Sequence, residues 1–199
     1  WNCTRLTSIP KLSGKPYTIE YCFSGCANLS EPDLSGLDFS NTVNISRAFY
    51  QARNWAQDVD MSAAPIILAS YAYSGSKIDR IPNINYSKIE NSTSMFEGCN
   101  SLTSVILDLP NALTINGVFR NCSYLEEAHF TGLEYCNNIQ GLFYNCQRLV
   151  TVSGLNCSNV YSLFNTFDTC IALVNIDGLF NLGEGVSSNT TFSVSALQS

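Results

Sequence analysis

An aromatic residue recurs through this chain at an almost constant interval, and this repeat constrains the fold more than any other feature. Seven aromatic anchors share one frame: Phe23, Phe49, Tyr73, Phe96, Phe119, Phe143 and Phe167. Successive anchors are 23 to 26 residues apart, and five are followed by Cys three residues later and Leu six residues later, as in MFEGCNSL. A unit this short cannot bury its own apolar face, so it must stack on its neighbours as a solenoid.

Local structure within one unit follows from two spacings. Aromatic, Cys and Leu stand three residues apart, which predicts a helical or 3₁₀ turn. The alternating apolar residues that follow, as in LTSVILDL, predict one short strand per coil, paired in parallel with its neighbours. Runs rich in Asn, Gly and Ser predict the return loops.

The cysteines follow the same frame. Ala52 and Ser76 replace Cys in two copies, so the position requires a small side chain and Cys acts there as a small apolar residue. We expect a reduced ladder in the core, formed by Cys3, Cys26, Cys99, Cys122, Cys146 and Cys170. Disulfides between stacked thiols rarely meet the required geometry, although Cα separation alone does not exclude them. Three further cysteines lie outside the frame and are predicted to be unpaired: Cys22, Cys136 and Cys157.

The unit MFEGCNSLTSVILDL resembles the BspA-like leucine-rich repeats of bacterial surface proteins and mycoplasma lipoproteins, whose pattern is M-F-x-x-C-x-x-L-x-x-L-x-L. The resemblance covers residues 1 to 180. It implies an α/β repeat fold: a leucine-rich-repeat solenoid of about eight coils, with one short parallel strand per coil and helical or 3₁₀ turns on the opposite side. We expect residues 1–199 to form a single domain.

The frame opens inside a repeat, because Cys3 and Leu6 occupy the Cys and Leu positions of a copy whose aromatic would precede residue 1. We therefore expect a fragment of a longer chain. A degenerate copy of the repeat is predicted at Phe192. No signal-peptide pattern stands at the start and no run of 18 apolar residues occurs, so this chain contains no predicted membrane span.

Composition and motifs exclude several function classes. A net charge of −6 and ten scattered basic residues do not provide the basic patch that nucleic-acid binding requires. His129 is the only histidine, and no convergent catalytic set, metal-ligand spacing or cofactor motif accompanies it. The sequence therefore predicts no enzyme, no metal and no cofactor.

A binding face is predicted on the outward residues of the strands. One row contains Ser8, Glu31, Gln57, Arg80, Ser104, Glu127, Thr151 and Asn175. The other contains Pro10, Asp33, Val59, Pro82, Ile106, His129, Ser153 and Asp177. The candidate contact residues are Glu31, Asp33, Arg80, Ile106, Glu127, His129 and Asp177.

The resemblance implies a non-enzymatic binding or adhesion module outside a bacterial cell or on its surface, with a protein or glycan ligand. The alternative is a structural repeat module of a phage tail or cell-surface assembly, in which the repeats act as spacers. A plain solvated sheet face is the third interpretation of the rows.

Overall fold

The structure is a computed structural model that describes residues 2–30, 32–55 and 58–177. These residues form a parallel β-solenoid of about seven turns with almost no helix. Seven aromatic anchors mark the turns in the described residues, so the expected count of eight coils is not confirmed there. The copy predicted at Phe192 lies outside the described residues.

The strands are short and all parallel. Two of them, β1 (Ser13–Gly14) and β2 (Gly36–Leu37), pair near the amino-terminal end. Four form a second sheet in the order β3-β4-β5-β6, with the bounds Ser104–Asp108, Glu127–Thr131, Thr151–Ser153 and Asn175–Asp177. A second line of single parallel bridges joins successive coils at Thr18, Asn44, Leu68, Asn91, Thr114 and Asn138.

Among the described residues, the prediction of one strand in every coil is wrong for the coils of Val59 and Arg80, which are joined on this side only by a single bridge between Met61 and Ile84. In the coil of Asp33 the strand lies later than predicted, at Gly36–Leu37. Pro32 directly precedes Asp33, and Pro82 lies two residues after Arg80, both in the predicted strand segments. Proline has no N–H to donate to a neighbouring strand, so it interrupts the pairing there.

The predicted helical turns are also wrong. The only helices in the described ranges are two short 3₁₀ helices, Phe39–Asn41 and Tyr86–Lys88, which lie outside the aromatic-Cys-Leu segment. Around Phe119 the backbone adopts a left-handed φ at Gly117 (62°) and at Asn121 (60°), which a right-handed helix cannot contain. Instead, the hydrogen bonds of successive backbone N–H groups alternate between the next coil and the same turn. Phe119 N donates to Leu142 O in the next coil, and Arg120 N donates back to Gly117 O.

The core consists of the side chains that the repeat aligns. Each anchor ring stacks on the next one, with centroids 4.9 to 5.9 Å apart and planes within 26° of parallel. Trp55 replaces Leu in the coil of Phe49, and its ring lies 4.3 Å from that of Phe49. The larger ring offsets the small Ala52 in the same coil, so this degenerate copy still fills the core.

The Cys ladder is confirmed for the motif positions from Cys26 onward, which are all buried. Four thiols donate to the carbonyl oxygen of the anchor in the preceding coil at 3.0 to 3.2 Å, namely those of Cys99, Cys122, Cys146 and Cys170. Cys3 is an exception because it is exposed in the first coil. Outside the frame Cys22 is exposed whereas Cys136 and Cys157 are buried, and none of the nine cysteines forms a disulfide.

Candidate binding surface

The outward face of β3–β6 aligns side chains of successive coils in rows. One row runs through Ile106, His129, Ser153 and Asp177. The other runs through Ser104, Glu127, Thr151 and Asn175. Over β3–β6 both rows have the register that the repeat predicts. The prediction of an outward position is wrong at Val59 and Pro82, which are buried. In β3 the inward residues Val105 and Leu107 are buried while Ile106 between them is 75% exposed, so an apolar side chain stands on the outer face.

His129 contacts its neighbour in the row. Its Nδ1 lies 2.8 Å from Ser153 Oγ, and Asp177 occupies the next position beyond Ser153. A hydrolytic triad needs the histidine between the serine and the acid, so that the ring can pass the serine proton. Here the serine lies in the middle, and the order does not provide that relay. The pair holds the imidazole against the sheet.

Asp33 lies apart from the β3–β6 face. Its Oδ1 accepts hydrogen bonds from the side chain (2.7 Å) and the backbone N–H (3.0 Å) of Ser35, and these bonds lower the pKa of the Asp33 carboxyl. Asp33 lines a hollow of about 290 Å³ together with Asp58 and Asp60. Arg80 Nε lies 3.7 Å from Asp58 Oδ2 at its margin.

The structure therefore separates the seven candidate residues. Four lie on one sheet: Ile106, Glu127, His129 and Asp177. Asp33 lines the acidic hollow, Arg80 pairs with Asp58 at its margin, and Glu31 lies outside the described residues.

Apolar residues at the entry to the sheet were missed by the sequence analysis. Val150 (40% exposed) and Val174 (77% exposed) directly precede β5 and β6, and Val174 N donates to Val150 O at 3.0 Å. The signal was the residue after the repeat Leu. It is Val in these two copies, whereas Thr103 and Glu126 occupy the position in the two preceding coils.

A second missed feature is a stack of two tyrosines and an arginine on the turn side. Each residue stands two positions before its anchor: Tyr21, Arg47 and Tyr71. The Arg47 guanidinium carbon lies 5.3 Å from the ring centroid of Tyr21 and 4.7 Å from that of Tyr71. Such cation–π contacts order side chains on a surface, and the shared frame position could have predicted this one.

Comparison with known families identifies the repeat. The sequence matches the BspA type leucine rich repeat region, in six copies, over residues 1–82 and 43–174. The chain belongs to the BspA-type leucine-rich repeat family. This family is one of repeat proteins and not of enzymes. A search of curated proteins gives no significant match.

Three solved bacterial structures are similar to this BspA-type chain. A leucine-rich repeat protein from Eubacterium ventriosum is 16% identical with a TM-score of 0.51, and the match covers 77% of this chain and 44% of that one. A leucine rich cell surface protein from Faecalibacterium prausnitzii is 18% identical (TM-score 0.38, 86% and 59% covered). A leucine-rich repeat protein from Bacteroides ovatus is 15% identical (TM-score 0.35, 91% and 63% covered). The first supports the fold, and the chain spans less than two thirds of each protein.

The helices in the described part of this BspA-type chain are both short 3₁₀ helices. Within it, no helix has both the length and the apolar character needed to cross a bilayer.

Proposed function

We propose that this chain is a non-enzymatic binding module of a bacterial surface protein, and that it holds a protein or glycan partner on the outward face of β3–β6. The observation that carries the proposal is the exposed Ile106 in register with His129 and Asp177 on neighbouring strands. Protein interfaces combine an apolar centre with a polar and charged rim. Ile106, Val150 and Val174 supply exposed apolar area, which favours a protein partner over a glycan.

The extracellular location belongs to the same proposal. It is supported by the resemblance of the repeats to those of bacterial surface proteins and by the low share of charged residues, 13% of the chain. An antibody raised against the chain should label intact cells of its source without permeabilisation. Labelling only after lysis would contradict the location without affecting the binding proposal.

The test of binding uses two exposed isoleucines as a matched pair. Ile106 is 75% exposed on β3, and Ile171 is 72% exposed outside the strands. The purified chain is titrated against a panel of purified host matrix proteins and glycans. We expect Ile106→Ser to lower the affinity for the partner about tenfold or more, since truncation of a side chain at an interface centre costs more than about 1.4 kcal/mol of binding free energy. Ile171→Ser should leave the affinity unchanged.

Charge reversal at two exposed glutamates provides a second pair of matched variants. Glu127→Lys changes the sheet face, whereas Glu134→Lys changes an exposed acid outside the strands. Only the first should reduce attachment of chain-coated beads to the partner. Equal binding by both variants and by the wild type would overturn the sheet-face proposal, and it would favour the spacer role in a larger assembly.

A further inference from the structure

A polar groove opens on the turn side of the solenoid, and none of the residues that line it lies in a strand. Its volume is about 540 Å³. Six of the side chains that line it are those of Tyr50, Gln51, Tyr71, Glu97, Asn100 and Asn121. A volume between about 300 and 1,000 Å³ is typical of small-molecule sites.

Two glycines form the floor of this groove. Gly75 and Gly98 occupy the same position in successive coils, two residues after the anchor, where the flanking coils carry Gln51 and Asn121. A Cβ built on Gly98 would meet no atom closer than 3.9 Å, so the space above the backbone is open. The Gln51 side chain covers Gly75, so the open notch lies over Gly98, in a row that carries Gln51 on one side and Asn121 on the other.

Side-chain amides are held in place at both ends of the notch. The Gln51 amide nitrogen lies over Gly75, and its Oε1 accepts from Arg53 Nε at 3.4 Å. At the other end Asn121 Oδ1 accepts from Asn145 Nδ2 at 3.1 Å. The NH₂ groups of Gln51 and Asn121 have no hydrogen-bond partner among the described residues, so each can donate to a ligand.

An unpaired acceptor lies between the two amides. The Glu97 carboxylate forms no hydrogen bond or ion pair with any residue in the described ranges. Arg120, at the equivalent position of the next coil, lies 5.2 Å from the ring centroid of Tyr144 instead. Asn100 accepts two hydrogen bonds from Ser123 through its Oδ1, both at 3.0 Å, which leaves its NH₂ as a further donor.

Aromatic rings line the same groove. Tyr50 and Tyr71 are half-buried, with centroids 6.1 Å apart and planes at 84°. The Arg47 guanidinium lies over the Tyr71 ring at 4.7 Å and fixes its orientation. The rings therefore present apolar surface beside a set of donors and one acceptor.

We propose that this groove binds a neutral saccharide. A pyranose has apolar C–H faces, which suit tyrosine rings, and a rim of hydroxyl groups that both donate and accept hydrogen bonds. The amides of Gln51 and Asn121 supply donors, and the Glu97 carboxylate supplies an acceptor. The groove lining contains one acid, Glu97, and one base, Arg53, so it offers no net charge to attract a uronic, sialic or phosphorylated sugar. The site is separate from the sheet face, so the two proposals stand or fall independently.

Two substitutions test the groove without disturbing the fold. Gly98→Asn places a side chain in the notch, and its φ of 70° matches the φ of 60° and 61° at Asn121 and Asn145 in the same row. Tyr50→Ser removes one ring at a position where Ser24 is the equivalent residue of the preceding coil. Thr169→Asn is the matched control, because it makes the same residue at the same row position outside the groove.

The wild-type chain is applied to an array of immobilised neutral, N-acetylated and acidic oligosaccharides, and the strongest ligand is then titrated by surface plasmon resonance. We expect a neutral or N-acetylated sugar to bind. Gly98→Asn and Tyr50→Ser should each lower the affinity for this sugar about tenfold or more. Thr169→Asn and the sheet variant Glu127→Lys should leave that affinity unchanged. Thermal unfolding checks that both groove variants fold. The proposal is overturned if no sugar binds at millimolar concentration, if only acidic sugars bind, or if the groove variants bind like the wild type.

Discussion

The thiol of Cys122 donates a hydrogen bond to the carbonyl oxygen of Phe96, 3.1 Å away in the preceding coil. Cys146 makes the same bond to Phe119 at 3.0 Å. The motif Cys is therefore a donor between coils as well as a small core residue, and Ala52 cannot replace that function. This bond gives a physical reason for cysteine in most copies.

Substitution of Cys122 separates the contribution of the thiol hydrogen bond to stability from that of the small side-chain size. Cys122→Ala should lower the free energy of unfolding by about 1 kcal/mol, because one buried hydrogen bond is lost. Cys122→Leu should lower it by about 2–4 kcal/mol, since overpacking adds to that loss. Urea unfolding followed by circular dichroism measures both, with the exposed Cys22→Ala as control. If Leu is tolerated as well as Ala, the position is not closely packed.

Thiol labelling should distinguish the exposed cysteines from the ladder. Burial raises the pKa of Cys99 to about 12 and that of Cys170 to about 12, so neither forms the reactive thiolate near neutral pH. In the native protein we expect Cys3 and Cys22 to react first with a thiol reagent, because they are exposed.

In denaturant all nine cysteines should react, since none is bonded to another. Rapid native labelling of the remaining seven would show that the ladder is accessible to solvent. Fewer than nine reactive thiols after denaturation without reductant would reveal a disulfide.

Tyr73→Phe should stabilise the protein. The Tyr73 hydroxyl is buried and has no hydrogen-bond partner in the described part of the chain, and burial raises its pKa. An unsatisfied buried polar group costs about 1–3 kcal/mol, and Phe is the residue of the other six anchors. We expect the unfolding free energy to rise by about 1 kcal/mol or more. The reverse change, Phe96→Tyr, should destabilise. A loss of stability in Tyr73→Phe would indicate that the hydroxyl has a partner.

Asp38 should make the fold acid-sensitive. The backbone N–H of Ser40, then its side chain and Lys15, lower the pKa of the Asp38 carboxyl from 3.8 to about 2. A carboxyl with a depressed folded-state pKa stabilises the fold above its unfolded value, and that stability is lost as the pH falls through the folded value. Asp38→Asn should therefore flatten the stability profile between about pH 4 and pH 2.

The direct measurement is a carboxyl carbon NMR titration of Asp38. A midpoint near its ordinary value would contradict the hydrogen-bonded geometry.

Stacking and register could be predicted from the sequence because both depend on apolar spacing. Phe96, Cys99 and Leu102 recur together, and only a coil that returns to the same place can bury them all. The outward alternation of Ser104 and Ile106 follows from the same frame.

The turn conformation was predicted wrongly because a spacing of three residues suits a helix and also suits successive tight turns. The distinguishing signal was present two residues after the anchor, where Gly98 and Asn121 are residues that accept a left-handed φ. The missing strand near Pro82 had a comparable signal in the proline itself. The groove over Gly75 and Gly98 could not be predicted in this way, because it depends on which side chains from neighbouring coils lie next to one another.

The alternating amides on the turn side have a mechanical consequence. Bonds such as Phe119 N to Leu142 O run along the axis of the stack, so a pull between its two ends loads each coil boundary in series. Coils at an end have one neighbour fewer and should peel away first. Each released coil of about 24 residues lengthens the tether by about 80 Å. A cell held through such a stack would be attached by an extensible line that absorbs load in steps.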